Sequence, residues 1–225
     1  MFINRLFLQA LAFLCFVSLH AGDKPLAVGI LVYDGLTISE VTGALETYGM
    51  PAADGTHYFN VWLVGETKAA VTSHEGLRFL PNTTMAECPP LDVLVVPGSY
   101  NAAKSENNLA VRRFLQARAP AARYLTSHCA GAFVLGNASL LDGKRATTYV
   151  TGGPLLQKRF PAAAVQPESE RFVVDGKLVT SNGALVSYEA SLWVVRQLAG
   201  NAHADYVDQR LYLSRLKADT ATPNR

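Results

Sequence analysis

Leu26-Ala27-Val28-Gly29-Ile30-Leu31-Val32-Tyr33 and Leu91-Asp92-Val93-Leu94-Val95-Val96 are nearly continuous apolar runs of strand length, each stopped by turn residues, Asp34-Gly35 and Pro97-Gly98. A strand covered on both faces, as in a parallel sheet, has no need of polar alternation. Tyr58 to Val64 and Arg123 to Ser127 are read as further strands. Between them the apolar spacing predicts helices over Thr37 to Met50, over Leu109 to Ala119, where Val111, Phe114 and Leu115 share one face, and over Ala132 to Leu141. Lys68 to Thr72 and Leu77 to Leu80 flank Ser73-His74-Glu75-Gly76 and predict a small hairpin. Strands alternating with helices at these spacings predict a doubly wound α/β sandwich with a mostly parallel sheet between helical layers. In such folds ligands bind beyond the carboxyl ends of the strands, where the turns Asp34 to Glu40, Pro97 to Tyr100 and His128 to Gly131 converge.

In the last third, Gly153 to Phe160 reads as a short helix. Arg171 to Val174 and Leu178 to Thr180 flank an Asp175-Gly176 turn. Ser187 to Leu198 and His203 to Leu216 read as two final helices. Met1 to Ala21 stands apart: Arg5 precedes an apolar run from Leu6 to Leu19, and a small residue at Ala21 comes before Gly22-Asp23-Lys24. This is the layout of a cleaved secretory signal, and the run is shorter than the ~20 residues of a membrane-spanning helix. The expected organisation is a signal peptide at 1–21, one α/β domain at 22–217 and a frayed tail at 218–225. The expected location is periplasmic or secreted, with no membrane association in the mature form.

Composition narrows the picture further. The chain has 225 residues, 49% hydrophobic and 17% charged, which suits one domain with a sizeable core. Its 20 basic and 18 acidic residues are interspersed, so no basic surface marks a nucleic-acid partner. Removal of residues 1–21 would leave Cys88 and Cys129 in an oxidising compartment. Cys88 precedes a strand and Cys129 follows one, at opposite ends of a parallel sheet, so no disulfide is expected. The histidines show no metal-ligand spacing with one another or with Cys88, so neither a metal nor another cofactor is expected.

Tyr124-Leu125-Thr126-Ser127-His128-Cys129-Ala130-Gly131-Ala132 carries the candidate chemistry. A cysteine on a strand-to-helix turn sits beside unpaired N–H groups at the positive end of a helix dipole, which favours the thiolate. Gly131 and Ala130 keep such a turn free of clashes. His128 adjoins the cysteine, yet neighbouring strand residues point to opposite faces, so its ring is expected to face away from the thiol.

Four motifs, Tyr33-Asp34-Gly35-Leu36-Thr37-Ile38-Ser39-Glu40, Asp92-Val93-Leu94-Val95-Val96-Pro97-Gly98, Ser127-His128-Cys129-Ala130-Gly131-Ala132 and Gly143-Lys144-Arg145-Ala146-Thr147-Thr148, resemble the ThiJ/PfpI superfamily in order and spacing. Within it the chain is most similar to isonitrile hydratases and to the sensor domains of AraC-type regulators. The resemblance implies a class I glutamine amidotransferase-like, flavodoxin-like fold and a homodimer. It also implies a nucleophilic Cys129 with Glu40 as its acidic partner, the carboxyl kept protonated by the nearby thiolate. Backbone N–H groups of Gly98, Ser99 and Ala130 are expected to hold an oxyanion, and Asp34, Gly35, His128, Thr148 and Tyr149 to surround the pocket. Three positions depart from the family pattern: Tyr149 replaces a histidine, Ser99 a second glycine, and Glu189 an aspartate. The function implied is an exported cysteine-dependent enzyme that hydrates or hydrolyses a small electrophile, isonitrile hydratase-like or glyoxalase-like. The alternative is a ligand-binding or redox-sensing module of the same fold.

Overall fold

The computed structural model describes residues 24–100 and 105–218; the expected signal segment 1–21 and the tail beyond residue 218 lie outside them. Strand β1 (Leu26–Leu31) leads into helix α1 (Ile38–Gly49) and strand β2 (Phe59–Gly65). The hairpin β3 (Val71–Thr72) and β4 (Arg78–Phe79) precedes β5 (Thr83–Thr84), β6 (Val93–Val96) and α2 (Leu109–Arg118). Next come β7 (Tyr124–His128), α3 (Gly131–Asn137), β8 (Arg145–Ala146), α4 (Gly153–Arg159) and β9 (Ala164–Val165). β10 (Phe172–Asp175), β11 (Leu178–Ser181), α5 (Val186–Leu211) and α6 (Leu213–Ala218) complete the described chain.

Seven strands form one sheet in the order β10-β11-β7-β6-β1-β2-β5. All neighbours are parallel except β10, which runs antiparallel to β11 at the edge. All four residues of β6 are buried, which is why Val93 to Val96 contains no polar position. Two apolar clusters cover the sheet. One joins Leu94, Val96 and Leu125 to Phe114 and Leu115 of α2 and to Phe133 and Leu135 of α3. The other joins Val28, Ile30, Val93 and Val95 to Val41 and Ala44 of α1 and to Val194 and Val195 of α5. At the amino ends of the strands, Asp92 accepts a hydrogen bond from the Ala27 N–H (2.9 Å) and pairs with Arg123 (3.1 Å), locking β1, β6 and β7 in register.

The two final helices of the sequence reading are present and meet at Gly200. Within α5 two helical stretches are joined at Gly200, whose φ of 84° and ψ of 171° are not helical, and the chain breaks again at Tyr212 in the left-handed region. Glycine takes such a φ without steric cost, so the first helical stretch ends there and a second begins at once. The pairs β5, β8 and β9 were not predicted because two residues are too short to show a period. Among the described residues, no helix is long and apolar enough to cross a membrane.

His128 is fully buried in β7, with Nδ1 2.8 Å from Ser181 Oγ and Nε2 without a partner among the described residues. Burial pushes its pKa down to about 3. An unfolded imidazole titrates near ~6.5, so below that pH the unfolded chain binds a proton that the folded chain refuses. Stability is therefore complete above about pH 6.5 and falls as pH drops towards 3, by about 1.4 kcal/mol per pH unit for this one group. Denaturant unfolding at a series of pH values checks this. His128→Gln, which keeps a partner for Ser181, is expected to flatten the acid limb, and an unchanged limb would refute the assignment.

Candidate functional site

The elbow forms where β7 ends and α3 begins. Cys129 has φ of 52°, a left-handed conformation unusual for a side-chain-bearing residue, and its N–H donates to Ser181 O of β11 (2.9 Å). The Thr148 hydroxyl donates to Cys129 O (2.8 Å), and Asn182 Nδ2 holds the Thr148 carbonyl (2.7 Å). Gly131 follows two residues after Cys129, and a Cβ there would run into the Val96 carbonyl of β6. The turn is thus fixed from three sides while the thiol, half-buried, looks out from the carboxyl end of the sheet.

Glu40 comes from the first turn of α1 and is 1% exposed. It accepts hydrogen bonds from the N–H groups of Gly98 and Ala184 and is in hydrogen-bond contact with Cys129. Two glycines make room for the pair. A Cβ on Gly98 would lie 2.9 Å from Cys129 Cβ and 3.0 Å from Glu40 Oε2. A Cβ on Gly183, whose φ is 88°, would overlap Cys129 Cβ and lie 2.7 Å from Glu40 Oε1. Gly183 and Ala184 stand on the turn after β11, a fourth turn at this end of the sheet. Asn182-Gly183 after a strand was their only signal in the sequence.

Burial raises the Glu40 pKa to about 7, against the pull of its two backbone donors; contact with Cys129 works in the lowering direction. The carboxyl is therefore lifted by desolvation rather than by a neighbouring thiolate, a correction to the sequence-based expectation. Cys129 is pushed up to about 12, by burial first and then by the charge on Glu40, with the Ala130 N–H offsetting part of the rise. The stabilised thiolate expected at the start of α3 is not found, because burial and the charge on Glu40 hold the thiol up. Between about pH 7 and pH 12 the pair retains one proton and one negative charge.

Cys129 and Glu40 line a cavity of about 700 Å³ together with Ser99, Ala130, Phe133 and Tyr149. Tyr149, in the place of the family histidine, stacks on Phe133 at 6.0 Å between ring centroids. Several expected site residues have other duties. The Gly98 N–H is engaged by Glu40 and the Ala130 N–H by the Cys129 sulfur, so neither is an unengaged oxyanion donor. The Ser99 hydroxyl turns back to Gly35 O (2.7 Å). Asp34 accepts from the Thr72 N–H (2.9 Å) and borders a separate cleft of about 220 Å³, while Gly35, with φ of 80°, shapes the turn after β1. His128 lies in the core and does not reach the cavity, because strand alternation aims it away from the elbow. Thr148 supports the elbow from behind. Glu189 pairs with Arg171, away from the cavity.

Sequence reading did not find Arg159 and Glu106. Both line the cavity and form an ion pair, Nη1 to Oε2 at 2.6 Å. They are 53 positions apart, with no local pattern to link them. Cys88 and Cys129 are both free thiols. Among the described residues no group of three His, Cys, Asp or Glu side chains could hold a metal ion.

Residues 28–197 match the DJ-1/PfpI family. The chain is similar to isonitrile hydratase of Pseudomonas putida, with 32% identity over 200 residues that cover 88% of this chain and 84% of that protein. It is also similar to protein DJ-1 homolog A of Arabidopsis thaliana, with 30% identity over 156 residues, 66% of this chain and 38% of that one. Among solved structures, a ThiJ/PfpI family protein from Pseudomonas syringae superposes with a TM-score of 0.74 at 25% identity, over 90% of this chain and 78% of that one. An AraC family transcriptional regulator from Pseudomonas putida gives 0.72 at 22% identity, over 83% and 100%, a likeness of fold.

Two substitutions test the site. In Glu40→Gln the charge that opposes thiolate formation is gone, so the Cys129 pKa is expected to fall from about 12 while staying above that of a free thiol; titration of thiolate absorbance reads the shift, and a rise would contradict it. Gly183→Ala forces a side chain onto the pair in a left-handed backbone and is expected to cost about 1–3 kcal/mol of stability in denaturant unfolding.

Proposed function

Because this chain belongs to the DJ-1/PfpI family, and its similarity to an isonitrile hydratase runs through most of both chains, we propose that it is a cysteine-dependent hydratase of small electrophiles with isonitriles as substrates. The observation that carries this reading is the Cys129–Glu40 contact in the wall of a cavity otherwise largely apolar. An isonitrile carbon accepts a nucleophile and a proton at the same atom, and a thiol beside a carboxylate supplies both.

In the proposed sequence the Cys129 sulfur bonds to the isonitrile carbon while the thiol proton passes through Glu40 to that carbon, giving a thioimidate. Water then adds to the same carbon, and Glu40 moves the water proton to nitrogen. The resulting tetrahedral adduct collapses: its hydroxyl proton returns through Glu40 to sulfur, the C–S bond breaks, and an N-substituted formamide leaves. One isonitrile and one water give one formamide, and the enzyme is regenerated. The raised Glu40 pKa of about 7 suits a group that must accept and return a proton at each step.

In the same reading Met1 to Ala21 is removed on export, and the mature chain acts outside the cytoplasm as a homodimer on a small molecule, without a nucleic-acid or membrane partner. The support for export is the charge and apolar pattern of that segment.

Formamide production from cyclohexyl isocyanide tests the assignment. Cys129→Ala is expected to abolish it while preserving the fold by circular dichroism, and retained turnover would sink the mechanism. In the wild type, kcat/KM is expected to rise with pH through about 7, because Glu40 must be ionised to take the thiol proton. Tight binding of isonitriles with no turnover at any pH would instead favour a ligand-binding module.

A further inference from the structure

Glu106 is an acid buried in the cavity wall, with only 7% of its surface exposed. Its carboxylate meets Arg159 Nη1 at 2.6 Å, and the guanidinium lies 5.1 Å from the Phe133 ring centroid and 5.3 Å from that of Phe160. Asn137 Nδ2 donates to the Glu106 carbonyl (3.0 Å), which ties the acid to the end of α3. Arg159 is thus held against a buried counter-ion and two rings, while 36% of its side chain stays exposed at the edge of the wall. A guanidinium has five N–H donors. Among the described residues only Nη1 has a hydrogen-bond partner, which leaves Nε and Nη2 able to donate to a ligand.

The charges around this cavity do not favour an anion. Among the described lining residues Arg159 is the single cation, and Glu106 neutralises it at contact distance. The Cys129–Glu40 pair adds a negative charge to the same space. The other described lining residues are uncharged: Thr37, Ser99 and Asn182 are polar, and the remainder is aromatic or aliphatic, from Phe133 and Tyr149 out to Val150 and Leu155, which are 57% and 47% exposed at the mouth. Among the described residues, a carboxylate entering this volume would lose its water, meet the negative charge of the Cys129–Glu40 pair, and find as its cation an arginine already paired. A neutral acceptor such as an ester or amide carbonyl loses far less on entry and can still take an N–H from Arg159.

We propose that the Glu106–Arg159 pair is a specificity device of the cavity, restricting it to uncharged electrophiles with an apolar body and favouring those that also carry a neutral hydrogen-bond acceptor. This deepens the hydratase reading and rests on it for the identity of the reacting group. Recognition itself can be measured without turnover.

The test uses product-like formamides on the full chain. By calorimetry, N-cyclohexylformamide and N-formylglycine methyl ester are expected to bind at least ten-fold more tightly than N-formylglycine at neutral pH. Glu106→Gln leaves the Arg159 charge uncompensated, so the preference for the ester over the acid is expected to shrink at least ten-fold or to invert. Wild-type binding of N-formylglycine as tight as that of its ester would overturn the proposal, and this arm needs no variant to fold. A folded Glu106→Gln protein with unchanged preference would overturn it as well. If the binding order holds but neither methyl isocyanoacetate nor cyclohexyl isocyanide is turned over, the hydration chemistry fails while the recognition by Glu106 and Arg159 stands.

Discussion

The burial of one carboxyl group against one thiol is the constraint on which the rest of the site depends. Glu40 is almost wholly removed from water, and an acid in that position is tolerable only if hydrogen-bond donors meet it or if it can hold a proton. Both conditions are arranged by the backbone. Gly98 after β6 and Ala184 after β11 aim N–H groups at the carboxyl, and Cys129 after β7 stands at hydrogen-bond contact. No side chain fits beside the pair at positions 98 or 183, so two glycines on separate loops are required by a single acid on α1. The left-handed backbone of Cys129 follows from the same crowding, because the thiol reaches Glu40 only if the chain turns sharply as β7 ends.

The sheet makes this meeting possible. β1, β6, β7 and β11 are parallel neighbours or next neighbours, so their carboxyl ends open onto one edge and their loops converge. Asp92 and Arg123 tie β1, β6 and β7 together at the opposite end of the sheet. The electrostatic outcome is a pair that shares one proton and one charge, lifted above the ordinary carboxylate range by desolvation. This state suits proton transfer to and from a neutral electrophile better than storage of a reactive thiolate. The neutralised arginine across the cavity is consistent with the same preference.

Much of this was legible in the chain itself. The apolar runs at Leu26 to Tyr33 and Leu91 to Val96, with helices between strands, read as a doubly wound α/β fold, and the strand-turn-helix pattern around Cys129 read as an elbow. The hairpins at residues 68–80 and 171–180 were visible from their turn residues. The two-residue strands were not, since a period needs several residues to show. The break between the last two helices was legible at Gly200, whose backbone is not helical, but the further break at Tyr212 was not.

Side-chain duties were less legible than the fold. Gly98 and Ala130 were read as oxyanion donors, yet the acid and the sulfur already engage their N–H groups. Asp34, Gly35 and His128 were expected around the pocket and do not line the cavity. The sequence by itself determined the order of strands and helices, the place of the sharp turn and the residue at its tip, because these depend on local spacing and on which residues tolerate a turn. Only the tertiary structure decided that burial lifts both Glu40 and Cys129, that Gly183 must be bare, and that Glu106 neutralises Arg159 across 53 positions of chain. The physical reason is that desolvation and ion pairing depend on distances through space, to which local spacing is blind.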